Sequence, residues 1–250
     1  MTLCADAGNS TIKIAVVDRG RVGPVVAVAS TASARAIDAA VRRAQRGGAR
    51  RGACAFSSVY PAVNAVIAAA LRRTTGEAPL RISHRIPLPV RIGVRHPERL
   101  GADRICAAVG AVGTRGSGAV VVDVGTAITV DLVTDRVFRG GVILAGPDMA
   151  LGALHAGTAA LPAVDFRTGA FPPGGIDRTD LAMRWGAGLA AAGGIREAVA
   201  MLQRRVGRRL PVVVTGGGVS RIASLLPSSY RERPHLTLIG IDTIYRLSRR

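Results

Sequence analysis

The sequence predicts an α/β protein built from two copies of one domain, and three observations carry that prediction. The first is a motif that occurs twice: Asp6-Ala7-Gly8-Asn9-Ser10-Thr11 at the start, and Asp123-Val124-Gly125-Thr126-Ala127 near the middle. Each copy follows a short apolar run and leads into a second, β-branched one. The second observation is the alternation of β-rich runs with helical segments, which indicates α/β layers rather than an all-β domain. The third is Val212-Val213-Val214-Thr215-Gly216-Gly217-Gly218, a strand running into a glycine turn of the kind that accepts a phosphate or nucleotide. Asp-x-Gly between two strands reads as a tight hairpin whose glycine lets a phosphate approach the backbone. Two such hairpins in duplicated halves suggest a nucleotide gripped between two related domains.

The elements follow in order. In the first half we expect strands over 3–5, 12–17 and 22–29, a helix over 34–45 capped by Ser33, a strand over 53–56 and a helix over 62–73. Residues 82–92 carry Pro87 and Pro89 and read as an extended connection or edge strand. A helix over 101–112 opens at Ala102-Asp103. Thr114-Arg115-Gly116-Ser117-Gly118 is the clearest break in composition, so the domains are placed at 1–115 and 116–250. The second half repeats the order, with strands over 119–123, 127–134 and 138–144 and a helix over 148–159. After the Pro172-Pro173-Gly174-Gly175 loop, a long helix runs from Thr179 to about Arg205. Its Gly186, Gly188, Gly193 and Gly194 each weaken it by about 1 kcal/mol relative to Ala, which points to close packing against another element or a second subunit. A strand over 211–214, a helix over 217–226 and an amphipathic segment over 236–247 complete the chain. Three strands, helix, strand, helix in each half is the order of a duplicated ribonuclease-H-like domain.

Composition narrows the function classes. At 250 residues the chain accommodates two modest cores, and 48% hydrophobic against 20% charged residues argues against disorder. No apolar run approaches the roughly 20 residues that span a bilayer, and no basic leader precedes the first strand. Cys4, Cys54 and Cys106 are too far apart for a paired zinc site and read as buried thiols of a cytoplasmic protein. The net charge of +18 invites a nucleic-acid reading. Against it, the arginines are scattered (Arg42, Arg43, Arg72, Arg73, Arg204, Arg205, Arg208 and Arg209 among them), Lys13 is the only lysine, and aromatic residues make up 3%. A single-strand surface interleaves aromatics for stacking.

Together with Ser57-Ser58-Val59-Tyr60-Pro61, Gly101-Ala102-Asp103-Arg104, Gly140-Gly141, Ala153-Leu154-His155, Thr179 with Ala182-Met183, and Thr215-Gly216-Gly217, the two hairpin motifs run collinearly over nearly the whole chain. In this set the sequence resembles the type III pantothenate kinases, within the acetate/sugar kinase, Hsp70 and actin superfamily. The resemblance implies two actin-like ATPase domains with a nucleotide cleft between them, a homodimer, and ATP-dependent phosphorylation of pantothenate to 4'-phosphopantothenate, the first step towards coenzyme A. It implies ATP against Asp6, Gly8, Asn9, Ser10, Thr11 and Lys13, against Gly125 and Thr126, and against Gly216 and Gly217. Asp103 falls on the family's general base. Val94, Gly101, Ala102, Asp103, Arg104, His155 and Thr179 fall on its pantothenate pocket. Asp123 falls on a site for a monovalent cation, potassium or ammonium, and Asp6 on the side of Mg2+. Both are carboxylates, and hard cations favour oxygen ligands. Phosphoryl transfer needs these parts: held phosphates, a counter-charge and an acceptor for the hydroxyl proton.

Taken singly, several of these residues have second readings. Asp6 and Asp123 also suit turns. Asp103 also suits a first-turn helix carboxylate or a pair with Arg104; Thr179 suits an N-cap with Asp180 in the first turn; His155 suits a satisfied polar residue near a helix end; Lys13 suits a strand-face charge. The chain also departs from the family pattern. Val94 stands where relatives carry a tyrosine, Ser10 where threonine is commoner, and Ala145 where proline is usual. The alternatives to the enzyme reading are a regulatory, transcription-accessory member of the family and another small-molecule kinase of the superfamily.

Overall fold

Both halves of the sequence fold around a sheet of the same strand order. The structure, a computed structural model, describes residues 1–46, 48, 52–113, 116–167 and 175–249. Thr114 and Arg115 of the expected junction and Pro172 to Gly174 of the expected loop lie outside those residues. The chain forms two units: Met1–Ala119 with Val133–Gly140 and His235–Arg250, and Val120–Leu132 with Gly141–Pro234.

The first unit holds β1 (Thr2–Ala7), β2 (Thr11–Asp18), β3 (Arg21–Val22), β4 (Val26–Ala29), α1 (Ala34–Gln45), β5 (Cys54–Ser58), α2 (Asn64–Thr75), β6 (Leu80–Arg81), β7 (Arg91–Ile92) and α3 (Ala102–Val112). Its sheet runs β3-β2-β1-β5-β6, with β4 also on β2. β1 is antiparallel to β2 and parallel to β5. Leu3, Ala5, Ala7, Ile12 and Ile14 of the central pair pack with Ile37, Val41, Ile67 and Leu71 of α1 and α2. α1 has the expected bounds because Ser33 caps it, its Oγ accepting from the Ala36 amide at 3.3 Å. Asp38, buried on α1, accepts from Arg42 one turn on and from Arg73 Nη2 of α2 at 2.8 Å, which ties the two helices. The single strand expected over 22–29 is broken into β3 and β4. Pro24 lies between them and has no amide to donate to a ladder.

The second unit is built on β8 (Ala119–Val124), β9 (Ala127–Thr134), β10 (Val137–Ala145), α4 (Pro147–Ala156), α5 (Thr179–Val206), β11 (Val212–Thr215), α6 (Val219–Ile222) and β12 (Arg231–Glu232). Its sheet order is β10-β9-β8-β11-β12. β8 and β10 begin in the first unit, where Val137 and Phe138 pair with β7. The strands of each sheet therefore stand third, second, first, fourth, fifth, with the fourth and fifth parallel to the first. That repeated order is the duplicated ribonuclease-H-like fold. The helix expected over 217–226 is shorter: α6 covers four residues, followed by a 3-10 turn over Ala223–Leu225. Its glycines are engaged elsewhere, and Pro227 holds Leu226 extended. In α5, Gly188 faces Phe166 and Leu225 and Gly194 faces Leu144, whereas a Cβ on Gly186 would meet nothing.

The last helix, α7 (Leu236–Ser248), belongs to the first unit and is buried from Leu236 through Ile244. It crosses α3 at two glycines. A Cβ on Gly240 would collide with the Cys106 carbonyl, and one on Gly110 with the Leu236 carbonyl. Asp242, fully buried, accepts from Thr2 Oγ1 at 2.8 Å and Arg246 Nε at 2.9 Å. Among the described residues no helix is long and apolar enough to cross a membrane.

Candidate functional site

The first hairpin is closed by the Gly8 amide, which donates to the Thr11 carbonyl at 3.1 Å, and leaves Asn9 and Ser10 exposed at its tip. Ser30, at the end of β4, holds that tip: its Oγ donates to the Gly8 carbonyl at 2.7 Å and its amide to the Ser10 carbonyl at 3.0 Å. Asp6 lies opposite Lys13 on β2 and opposite Ser57 on β5. Directly paired residues share a face, so a carboxylate, an ammonium and a hydroxyl stand side by side beneath the hairpin. Ser57 Oγ donates to Asp6 Oδ1 at 2.7 Å.

Asp103 enters this neighbourhood from α3. Gly101 caps that helix, and the Arg104 amide donates to Asp103 Oδ1 at 2.7 Å. The carboxylate folds so tightly over Gly101 that a Cβ there would collide with it, and Val59 would lie 3.3 Å away. Ala102 is buried and supports the turn. One turn on, the Cys106 thiol is fully buried; burial, then Asp6 and Asp103, push it well above the usual thiol range. Cys106 therefore lies within electrostatic reach of both carboxylates. The Arg104 guanidinium sits over the Phe138 ring, 5.6 Å from its centroid. The Gly93 amide donates to the Phe138 carbonyl at 2.9 Å, and Val94 faces Gly140 on the same strand. Phe138 and its strand thus bring Val94 and Arg104 into one locality, a link not foreseen in the sequence. His235, in a left-handed conformation at the start of α7, is pushed below the usual imidazole range by burial and then by Lys13.

In the second unit the Gly125 amide donates to the Ala127 carbonyl at 3.1 Å, and Gly125 and Thr126 form an exposed tip. Glycines wedge this hairpin from two directions. The Gly146 amide donates to the Thr126 carbonyl at 3.1 Å, and a Cβ on Gly146 would collide with that oxygen, so α4 begins against the tip. The Gly218 amide donates to the Val124 carbonyl at 2.9 Å. Gly216 has a φ of +110°, and a Cβ there would come within 2.6 Å of Asp123 Oδ1. Thr215 pairs with Asp123 in the ladder. Asp123, Gly125, Thr126, Gly216 and the exposed Gly217 thus form one cluster, to which the structure adds Gly146.

His155 and Thr179 are exposed residues of the second unit. His155, in the last turn of α4, has Nδ1 2.8 Å from the Leu161 carbonyl. Thr179 opens α5 but does not cap it; Arg178 holds that position, and Asp180 pairs with Arg178 and Arg184. Phe166, after α4, is held by residues the sequence reading did not single out. Arg221 Nη2 donates to Asp148 Oδ1 at 2.9 Å, and its guanidinium stacks 4.9 Å over Phe166. That guanidinium holds the Asp148 carboxyl below the usual range.

Among the described residues no group of three or more His, Cys, Asp or Glu side chains forms a metal cage. A single carboxylate beside each hairpin instead suits a hard cation that arrives with phosphates and keeps waters in its shell. Asp6 and Asp123 fit that demand.

The sequence pattern of the type III pantothenate kinase family matches residues 2–201. The chain belongs to that family. It is 33% identical over 193 residues to a type III pantothenate kinase of Thermomicrobium roseum, covering 76% of this chain and 73% of the relative. A type III pantothenate kinase of Desulfovibrio desulfuricans is 31% identical over 260 residues, 97% of this chain and 95% of that one. Among solved structures, a conserved Baf family protein of Campylobacter jejuni has the same fold at a TM-score of 0.61 and 18% identity, with 99% and 98% of the two chains covered. As a member of its family this protein is a kinase.

Proposed function

We propose that this kinase transfers a phosphoryl group from ATP to the primary hydroxyl of pantothenate, giving 4'-phosphopantothenate on the way to coenzyme A. The observation that carries the reading is the common neighbourhood of Asp6 and Asp103 around Ser57 and Cys106. It supports reading Asp6 as the phosphate-side carboxylate and Asp103 as the proton acceptor. Asn9, Ser10, Thr11 and Lys13 hold phosphates at the first hairpin, and Gly125 and Thr126 at the second. Gly216 and Gly217 present backbone to the nucleotide. Mg2+, when bound beside Asp6, neutralises charge that develops on the transferred group. Asp123 gives a monovalent cation, potassium or ammonium, its anionic partner. Asp103 accepts the proton as the hydroxyl attacks. Arg104 offers a guanidinium to the pantothenate carboxylate, with Val94, Gly101, Ala102, His155 and Thr179 completing the pocket.

We assign the enzyme to the cytoplasm, where its three buried cysteines stay reduced, and as a homodimer. Support for the dimer comes from α5, which turns Ala182, Gly186 and the half-exposed Leu189 to the surface. The deciding experiment is a coupled assay of ADP formation with pantothenate in potassium, ammonium or sodium salts. Turnover should require pantothenate and rise when sodium is replaced by either of the other two cations. Equal rates in all three salts would remove the cation from Asp123. No turnover in any of them would leave a regulatory member of the family.

A further inference from the structure

We propose that Ser57 is a positioning residue that clasps the Asp6 carboxylate from the adjoining strand and so sets how that carboxylate meets the magnesium–nucleotide complex. Ser57 is fully buried on β5, after the apolar run Cys54-Ala55-Phe56. A buried hydroxyl without a partner is costly, so an apolar residue would serve the core better unless the hydroxyl has work to do. Here it has a carboxylate for a partner. Ser57 Oγ donates to Asp6 Oδ1 at 2.7 Å. The one proton of the serine is thereby committed to Asp6. Fixing one carboxylate oxygen from below fixes the plane of the group, and with it the direction in which the other oxygen points.

The second half of the chain carries the same arrangement in its ladder. Ser57 pairs with Asp6 across β5 and β1, and Thr215 pairs with Asp123 across β11 and β8. Both are hydroxyl residues on the parallel strand next to the hairpin aspartate, and both are buried. Packing alone does not require a hydroxyl at both places.

The inference rests on the reading of Asp6 as the magnesium-side carboxylate, so the test includes Asp6 itself. Binding of the non-hydrolysable nucleotide AMPPNP to the full chain is measured by calorimetry with and without Mg2+, alongside ligand-free thermal midpoints. Ser57→Ala should weaken binding about tenfold to a hundredfold in the presence of Mg2+ and leave magnesium-free binding almost unchanged. Ser57→Cys, of nearly the same shape but a feeble donor, should do likewise. Ser57→Thr, which keeps the hydroxyl, should restore most of the affinity. Wild-type affinity in Ser57→Ala or Ser57→Cys, with Asp6→Asn impaired, overturns the clasp and leaves the role of Asp6 standing. A lowered thermal midpoint with unchanged affinity overturns it in favour of a packing role. Wild-type affinity in Asp6→Asn overturns the reading of Asp6 and the clasp with it.

Discussion

Asp103 lies in the first turn of a glycine-capped helix, where its own neighbour's amide and the bare Cα of Gly101 hold the carboxylate in place. If it takes the hydroxyl proton, Asp103→Asn keeps the shape and removes the acceptor. Turnover should fall by about 10²–10⁴ in steady-state kinetics, while calorimetry should find AMPPNP bound as before. Near-normal turnover would move the base elsewhere. Val94 faces Gly140, a residue with no side chain to compete for space. Val94→Tyr should lower the KM for pantothenate about tenfold to a hundredfold, with kcat at saturation little changed; a raised KM would mean a pocket built around valine. The residues legible in the sequence are those whose chemistry is written into adjacent positions. Asp6 and Asp123 are visible because Asp-x-Gly between strands spells out both the turn and its charge. Gly216 is visible as a turn, though not the cause of it, which is the approach of its backbone to Asp123 Oδ1. Ser57, Phe138 and Gly146 are not legible as site residues. The place of Ser57 beside Asp6 depends on the register between strands 51 residues apart, and a slip of one residue would turn the hydroxyl to the other face.

Helices and strands follow the sequence closely where their signals are local. Ser33 sets the start of α1, and the β-branched runs set β8 to β10. They depart where a proline or a distant contact intervenes, as at Pro24 between β3 and β4. The glycines of residues 216–218 likewise grip the second hairpin instead of extending α6. The crossing of α3 and α7 is a contact of that distant kind, because it needs Gly110 and Gly240 at the same point. Gly240→Ala should cost about 1–3 kcal/mol in chemical denaturation, since the added methyl meets backbone that cannot swing aside. An unchanged midpoint would mean that the helices can part freely. Asp38 gives the α1–α2 pair a pH dependence of known sign. Hydrogen bonds from Arg73, then Arg42, hold its carboxyl below the usual range despite burial. Its contribution is therefore present above the unfolded-state value, about 3.9, and is lost as pH falls through the lower folded-state value. Asp38→Asn should melt below the parent near neutral pH, and the gap should close as the solution is acidified below roughly pH 4; a constant gap would remove the ion pairs from the account.

For the molecule as a whole, Arg42, Arg73, Arg184, Arg221 and Arg246 are balanced locally by carboxylates, so the net charge of +18 rests on the other cationic residues. The exposed apolar residues include Ile143, Met149, Leu154 and Leu189 of the second unit, and the proposed homodimer is tested by its mass. Light scattering should give a mass near twice the 25.7 kDa of one chain, and dilution to monomer should abolish turnover. A fully active monomer would show that one chain completes the pocket. The membership of α7 in the first unit also bears on how the protein is made. Domains emerging from the ribosome generally fold in turn, the N-terminal one first. Here the helix that seals the underside of the first sheet, and supplies Asp242 to Thr2, is synthesised after every residue of the second unit. The earliest part of the chain must wait in translation for the latest, with its apolar strands unsealed in the meantime. That makes the nascent first unit the stage at which a chaperone matters most.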